Sequence, residues 1–192
     1  ALVHDEDAVG HRHDLVQLQT HEQDRLALVA LRDELAPNSK IAVLSNGTRA
    51  DRPEVHDALM MVDDNILKLD SAFDATARLI NNPQSPAYSV RRVVDQMKGF
   101  DGHLTVQTMF LRGECGGQPV DNTTEEEVSA WLRLVAEIRP QQVMVYSLDR
   151  DTPCPTLEKV TKEELQAIAA RVEALGIPCS CLLYTSPSPR DA

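Results

Sequence analysis

The sequence predicts an α/β fold, an incomplete (β/α) barrel of about four parallel strands with helices on the outer face. Short apolar runs of strand length alternate with segments of helical periodicity. Each run is almost continuously hydrophobic, as in the strands of a parallel sheet that is covered on both faces. No Gly-x-Gly-x-x-Gly follows any of the runs, and the one glycine pair, Gly116 and Gly117, sits in a long loop, so a barrel is favoured over a doubly wound dinucleotide fold.

Each element has its own signal. "RLALVALRDELAP" places Leu26, Val29, Ala30 and Leu35 at helical spacing and stops at Pro37. "KIAVLSNGT" is a first strand ending in a polar turn. A helix over 53–61 follows, with Asp51 as its cap and Pro53 in its first turn. "NILKLDS" is the second strand. Ser89 caps a helix that runs through Lys98 with Val90, Val93, Val94 and Met97 on one face, and Gly99 ends it. "HLTVQTMFLRG" is the third strand. Thr124 and Glu127 have capping-box spacing and open a helix that buries Val128, Trp131, Leu132, Val135 and Ile138 before Pro140. "QVMVYSLD" is the fourth strand. A second capping box, Thr161 with Glu164, starts a helix that buries Leu165, Ile168, Ala169, Val172 and Leu175 and ends at Gly176; "IPCSC" then begins a fifth strand.

At 192 residues the chain is long enough for one domain with a substantial core. Its net charge of -11 argues against an electrostatic grip on nucleic-acid phosphates, so a nucleic-acid partner is not supported. No run of 18 apolar residues is present, and "ALVHDEDAVG" lacks the basic and apolar regions of an export signal, so a cytoplasmic protein without a membrane partner is expected. The four cysteines, Cys115, Cys154, Cys179 and Cys181, are too few and too irregular for a disulfide framework, and Cys115 reads as a loop residue rather than a redox thiol.

The two ends stand apart. Residues 1–24 hold His4, His11, His13 and His21 among several acids. A metal site on His11, His13 and Asp14 is outweighed by an irregular or out-of-frame lead-in, because the alternation a His-x-His strand needs is missing. The tail "CLLYTSPSPRDA" breaks the pattern, and Cys181 to Asp191 match the translation of a transposase-based sequencing adaptor. The expected division is therefore a lead-in over 1–24, a barrel over 25–180 and an adaptor-derived tail over 181–192.

Parallel sheets bind ligands at the carboxyl ends of their strands. Those positions are Ser45 and Asn46; Lys68, Asp70 and Ser71; Gln107, Thr108 and Arg112; and Ser147, Asp149 and Arg150. Lys68 is the sharpest of them, because an ammonium inside an apolar strand needs a partner or a task. The run "TTEEE" is a helix start that exploits the dipole, not a metal site.

The segments "IAVLSNGT", "NILKLDSAFDATARLINNP", "LTVQTMFLRG", "DNTTEEEVSAWL" and "VMVYSLDRDTP" resemble the later strands of radical S-adenosylmethionine (radical SAM) proteins. The nearest branch is that of iron-sulfur oxidoreductases related to wyosine-synthesis and glycyl-radical-activating enzymes, over roughly residues 26–178. The resemblance implies a six-stranded partial (β/α) barrel whose third to sixth strands are the four above. It also implies a 4Fe-4S cluster on three cysteines that binds S-adenosylmethionine and cleaves it reductively to a 5'-deoxyadenosyl radical. Carried onto this chain, Lys68 pairs with the carboxylate of S-adenosylmethionine and Asp70 with its ribose, with Ser45 and Asn46 beside them. Gln107, Thr108 and Tyr146 approach the ribose or adenine, and Arg112 and Arg150 await an anionic substrate. The chain departs from the family in having no Cys-x-x-x-Cys-x-x-Cys and no Gly-Gly-Glu-Pro motif. The expectation is thus a fragment without cluster ligands, inactive alone, with no metal-binding residue assigned. Two other readings stay open: a Schiff-base lyase with Lys68 as its nucleophile, and a non-catalytic binding fragment.

Overall fold

The apolar runs pair side by side as parallel strands, and the periodic segments between them cross back over one face of the sheet. The computed structural model describes residues 3–5, 13–15, 22–149 and 154–182, with side chains from Val29 onward. The chain begins with two short strands, β1 (Val3–Asp5) and β2 (His13–Leu15), and helix α1 (Glu22–Leu35). Strand β3 (Lys40–Ser45), helix α2 (Pro53–Met60), strand β4 (Asp64–Lys68) and helices α3 (Asp74–Asn81) and α4 (Val90–Lys98) follow. A long strand β5 (Thr105–Cys115) turns into β6 (Gln118–Asp121) and leads to α5 (Glu125–Ile138), β7 (Gln142–Ser147), β8 (Glu158–Lys159), α6 (Lys162–Glu173) and β9 (Cys179–Leu182).

The strand order is β1-β2-β3-β4-β5-β7-β9, with β6 and β8 flanking the outer half of β5. From β2 to β9 every neighbouring pair along this path is parallel. The order advances in one direction without reversing, which is the winding of a (β/α) barrel and not of a doubly wound sheet. The four strands expected from sequence are β3, β4, β5 and β7; β9 extends past residue 180 to Leu182, and β2 lies before residue 25.

Among the described residues, helices cover one face of the sheet. The core joins Val43, Leu67, Val106, Val143 and Val145 of the strands to Leu59, Val94, Met97, Val128, Trp131, Leu165 and Val172 of the helices. Burying a side chain of this size contributes roughly 1.5–3 kcal/mol. Trp131 and Phe110 meet edge to face at the centre, with ring centroids 5.3 Å apart.

Several details depart from the sequence reading. Helix α3, within "DATARLIN", was not expected; its start is supported by Asp74, whose carboxylate accepts from the Val90 amide at 2.6 Å and so spans the gap to α4. Arg52 holds the N-cap position of α2 and makes no side-chain cap bond, while Asp51, one residue earlier, pairs with Arg92 of α4 at 2.6 Å. Leu175, beyond the end of α6, and Leu35, the last residue of α1, are both exposed. The four cysteines, too few and irregular for a disulfide framework, supply a single bridge among the described residues: Cys115 at the end of β5 is joined to Cys154, their Cα atoms 5.3 Å apart. The His11–His13–Asp14 reading lies outside the described side chains.

Gly113 in β5 has φ +125°, and a Cβ there would collide with the Thr156 carbonyl oxygen and crowd Leu157 Cα. Gly113→Ala is expected to destabilise the chain by more than about 1 kcal/mol, through both backbone strain and displacement of that segment. A urea midpoint equal to that of the parent chain would contradict this packing.

Candidate functional site

Strand alternation divides the sheet into two chemically different faces. On the helix face lie the apolar residues of the core. Across the opposite, open face the register places Ile66 beside Leu44, Lys68 beside Gln107, Gln107 beside Met144, and Met109 beside Tyr146. Leu44 is exposed, and Ile66, Lys68, Met109, Met144 and Tyr146 are half-buried. This face, at the carboxyl ends of β4 and β7 and the first half of β5, is the candidate site.

Lys68 is its only strand-borne cation among the described residues, and its side chain keeps 26% exposure. Burial pulls its pKa down, but the neighbouring Asp70 carboxylate and Tyr146 hydroxyl outweigh that, and the net direction is up. The ammonium lies 3.2 Å from Asp70 Oδ2, close enough for a charge pair although not aligned for a hydrogen bond. A raised pKa keeps the amine protonated, the opposite of what a Schiff-base nucleophile requires. An ammonium has three N–H donors, so with Asp70 and Tyr146 on two sides it still has a direction in which to meet a ligand anion.

Asp70 itself has no side-chain exposure. Its Oδ1 accepts from the Met109 amide at 2.8 Å, taking the place of a strand partner where β4 has stopped. Asn122, buried before α5, completes that junction. Its Nδ2 donates to Asp70 O at 2.7 Å and to Met109 O at 2.8 Å, while its Oδ1 accepts from the Leu111 amide at 2.8 Å. Just beyond Asp70, Ser71 donates to Glu127 Oε2 at 2.8 Å. Glu127 has capping-box spacing to Thr124, and the Thr124 hydroxyl accepts its amide, but its carboxylate is turned to Ser71. Burial raises the Glu127 pKa, against the opposing hydrogen bonds from Thr76 and Ser71.

The structure sorts the positions expected from sequence. Lys68, Asp70, Gln107 and Tyr146 come together around the open face; the Gln107 amide, mostly buried, lies 3.6 Å from Met144 Sδ. Asn46 is exposed at the rim after β3, its Oδ1 accepting from the Thr48 amide and hydroxyl. Ser45 pairs in register with Leu67, on the helix side, and accepts from the Gly47 amide. Thr108 is fully buried on the helix face, where its hydroxyl donates to Leu69 O at 2.8 Å and accepts from Trp131 Nε1 at 3.1 Å. Arg112 reaches Glu164 at 2.6 Å, so it secures the start of α6, and Glu164 is held down at about 2 by Arg112 first and by its bonds to Thr161. Ser147 faces the helix side, donating to Phe110 O at 2.7 Å. Arg150 lies outside the described residues. Asn122, Met109 and Met144 were not singled out from sequence. A cap-type asparagine before "TTEEE" hints at a loop, and nothing local says that it spans two strands.

Comparison with known proteins follows the same lines. No protein-family model matches the chain. A curated relative, the UPF0026 protein slr1464 of Synechocystis sp. (strain ATCC 27184 / PCC 6803 / Kazusa), is 27% identical over 164 residues, covering 72% of this chain. The chain spans 58% of that protein's length. Among solved structures, a domain of pyruvate-formate lyase-activating enzyme from Bacteroides vulgatus ATCC 8482 superposes with a TM-score of 0.60 at 12% identity, over 88% of this chain and 98% of that one. A radical SAM methyltransferase from Sphaerobacter thermophilus gives a TM-score of 0.57 at 16% identity, over 85% of this chain and 48% of that one. Streptococcus suis SuiB bound to S-adenosylmethionine gives 0.57 at 10% identity, over 83% of this chain and 36% of that one. The chain shares the fold of radical SAM enzymes. The residues present do not fit that family's cluster: the sequence has no Cys-x-x-x-Cys-x-x-Cys, and no three His, Cys, Asp or Glu among the described residues are grouped to hold a metal.

Two outcomes test this geometry. Asn122→Ala leaves the Leu111 amide and two carbonyls without that partner and is expected to cost about 2–4 kcal/mol in urea unfolding; a loss below 1 kcal/mol would remove Asn122 from the junction. Glu127 binds its proton more tightly folded than unfolded, so its ionisation takes stability away as pH rises from about 4.5 through the raised folded value. The urea midpoint of the parent chain should therefore fall relative to Glu127→Gln across that window, and parallel pH curves would contradict a carboxyl made less acidic by burial.

Proposed function

We propose that this chain supplies the S-adenosylmethionine-binding wall of a radical SAM enzyme, with Lys68 as the residue that takes the methionine carboxylate. The observation that carries the reading is the protonated lysine at the end of β4, held between Asp70 and Tyr146 on the open face of a sheet with this winding. Asp70 is the positioning residue, since its buried carboxylate both aims Lys68 and fastens β5. Tyr146, Gln107 and Asn46 provide the remaining polar groups for the nucleoside, and Met109 and Met144 form an adaptable apolar floor. Ser45, Thr108 and Arg112 contribute by holding the rim in shape. In this family the bound S-adenosylmethionine is the source of a 5'-deoxyadenosyl radical, and no step of that chemistry is assigned to residues of this chain.

The experiment is calorimetric titration of the chain with S-adenosylmethionine and with 5'-methylthioadenosine, which lacks the amino-acid end. Lys68→Met is expected to weaken S-adenosylmethionine binding by about tenfold or more, the loss of one charge-assisted contact, and to leave 5'-methylthioadenosine unchanged. An equal loss for both ligands, or no binding by the parent chain, would overturn the assignment.

A further inference from the structure

The four cysteines fall into two classes. Cys179 and Cys181 occupy β9 on the face packed against the helices, and burial pushes both thiols up, Cys179 to about 12. Thiols held protonated in this way are poor nucleophiles. Cys115 and Cys154 are instead half-exposed, outside the core, and close enough for a disulfide without backbone movement, with Cα atoms 5.3 Å apart. They lie 39 residues apart in sequence, at the end of β5 and at the head of the segment that leads into β8.

That segment, 154–160, lies along the outer half of β5. The Thr156 hydroxyl donates to Glu114 O at 2.6 Å, and Gly113 leaves room for the Thr156 carbonyl. Lys159 and Glu158 pair with Leu111 and Arg112. The Val160 amide donates to Ser147 Oγ at 2.8 Å. These contacts draw the two cysteines together, and the disulfide is the one link among them that responds to redox poise.

We propose that Cys115 and Cys154 form a reversible dithiol–disulfide site, accessible to small-molecule thiols of the glutathione class, whose oxidised state locks residues 154–160 onto β5. In the forward direction one cysteine thiolate attacks glutathione disulfide, forming a mixed disulfide and releasing one glutathione thiolate. The second cysteine thiolate attacks the protein sulfur of that intermediate and releases the second glutathione. Two electrons and two protons pass from the pair to glutathione disulfide, and two glutathione molecules reverse the exchange. The site is independent of the S-adenosylmethionine reading.

The test equilibrates the full chain in glutathione buffers from fully reduced to fully oxidised, quenches with acid, alkylates and maps by mass spectrometry. Oxidising ratios should protect two thiols and link tryptic peptides 113–133 and 151–159, reversibly on return to glutathione. Amide exchange over 156–159 should be at least about tenfold slower in the oxidised state. The Cys115→Ser/Cys154→Ser double variant should exchange like the reduced chain at every ratio. Four alkylated thiols throughout, a link between another pair, glutathione adducts without the link, or equal exchange in both states would each overturn the proposal.

Discussion

The structure depends on how β5 survives the loss of its neighbour. Strand β4 ends at Lys68, its last backbone bond to β5 running from the Leu69 amide to Gln107 O, yet β5 continues to Cys115 through a buried region. Backbone groups left there without partners would each cost about as much as a lost hydrogen bond in an apolar medium. Side chains take over the ladder: Asp70 for the Met109 amide, Asn122 for Met109 O and the Leu111 amide, while on the other edge Ser147 Oγ takes Phe110 O where β7 ends. Thr108 and Trp131 do the same for Leu69 O from the helix side. Because each of these polar groups has one geometry in which it is satisfied, the ends of β4, β5 and β7 are held at fixed spacing.

That spacing is what makes Lys68 tolerable. Burial at this depth works against the charge of an isolated ammonium, but Asp70 is already buried in position for another reason, the β5 backbone, and its second oxygen faces the lysine. The charge pair is thus a by-product of strand termination. In a chain with net charge -11, the open face presents a cation against the general sign of the molecule, which favours an anionic group there over elsewhere on the surface.

Fold and winding were legible because they follow from local rules: the period of apolar residues, Ser89 and Thr161 as caps, and the glycine that ends a helix. Lys68 was legible because a charge in an apolar run is an anomaly with few explanations. Thr108 and Lys68 both stand at strand ends in polar company, and only the register of β4 against β5 separates a residue of the open face from one bonded to Trp131. Asn122 was invisible for the same reason, since its partners, Asp70 and Leu111, are settled by tertiary pairing. Glu127 had the spacing of a capping box, yet a buried serine 56 residues away competes for its carboxylate. Asp51 likewise is drawn off its helix by Arg92.

The division between the two faces carries a consequence for divergence. Thr108 and Ser147 bond backbone atoms of neighbouring strands, so replacing either also alters the frame. Met109, next to Thr108, and Met144, three residues before Ser147, lie half-buried on the other face of the same strands. Descendants of such a sequence can change what the open face accepts by altering the methionines while the alternate residues keep the strands in place. The same two strands therefore hold, on opposite faces, the residues on which the fold is conservative and those on which it is free to experiment.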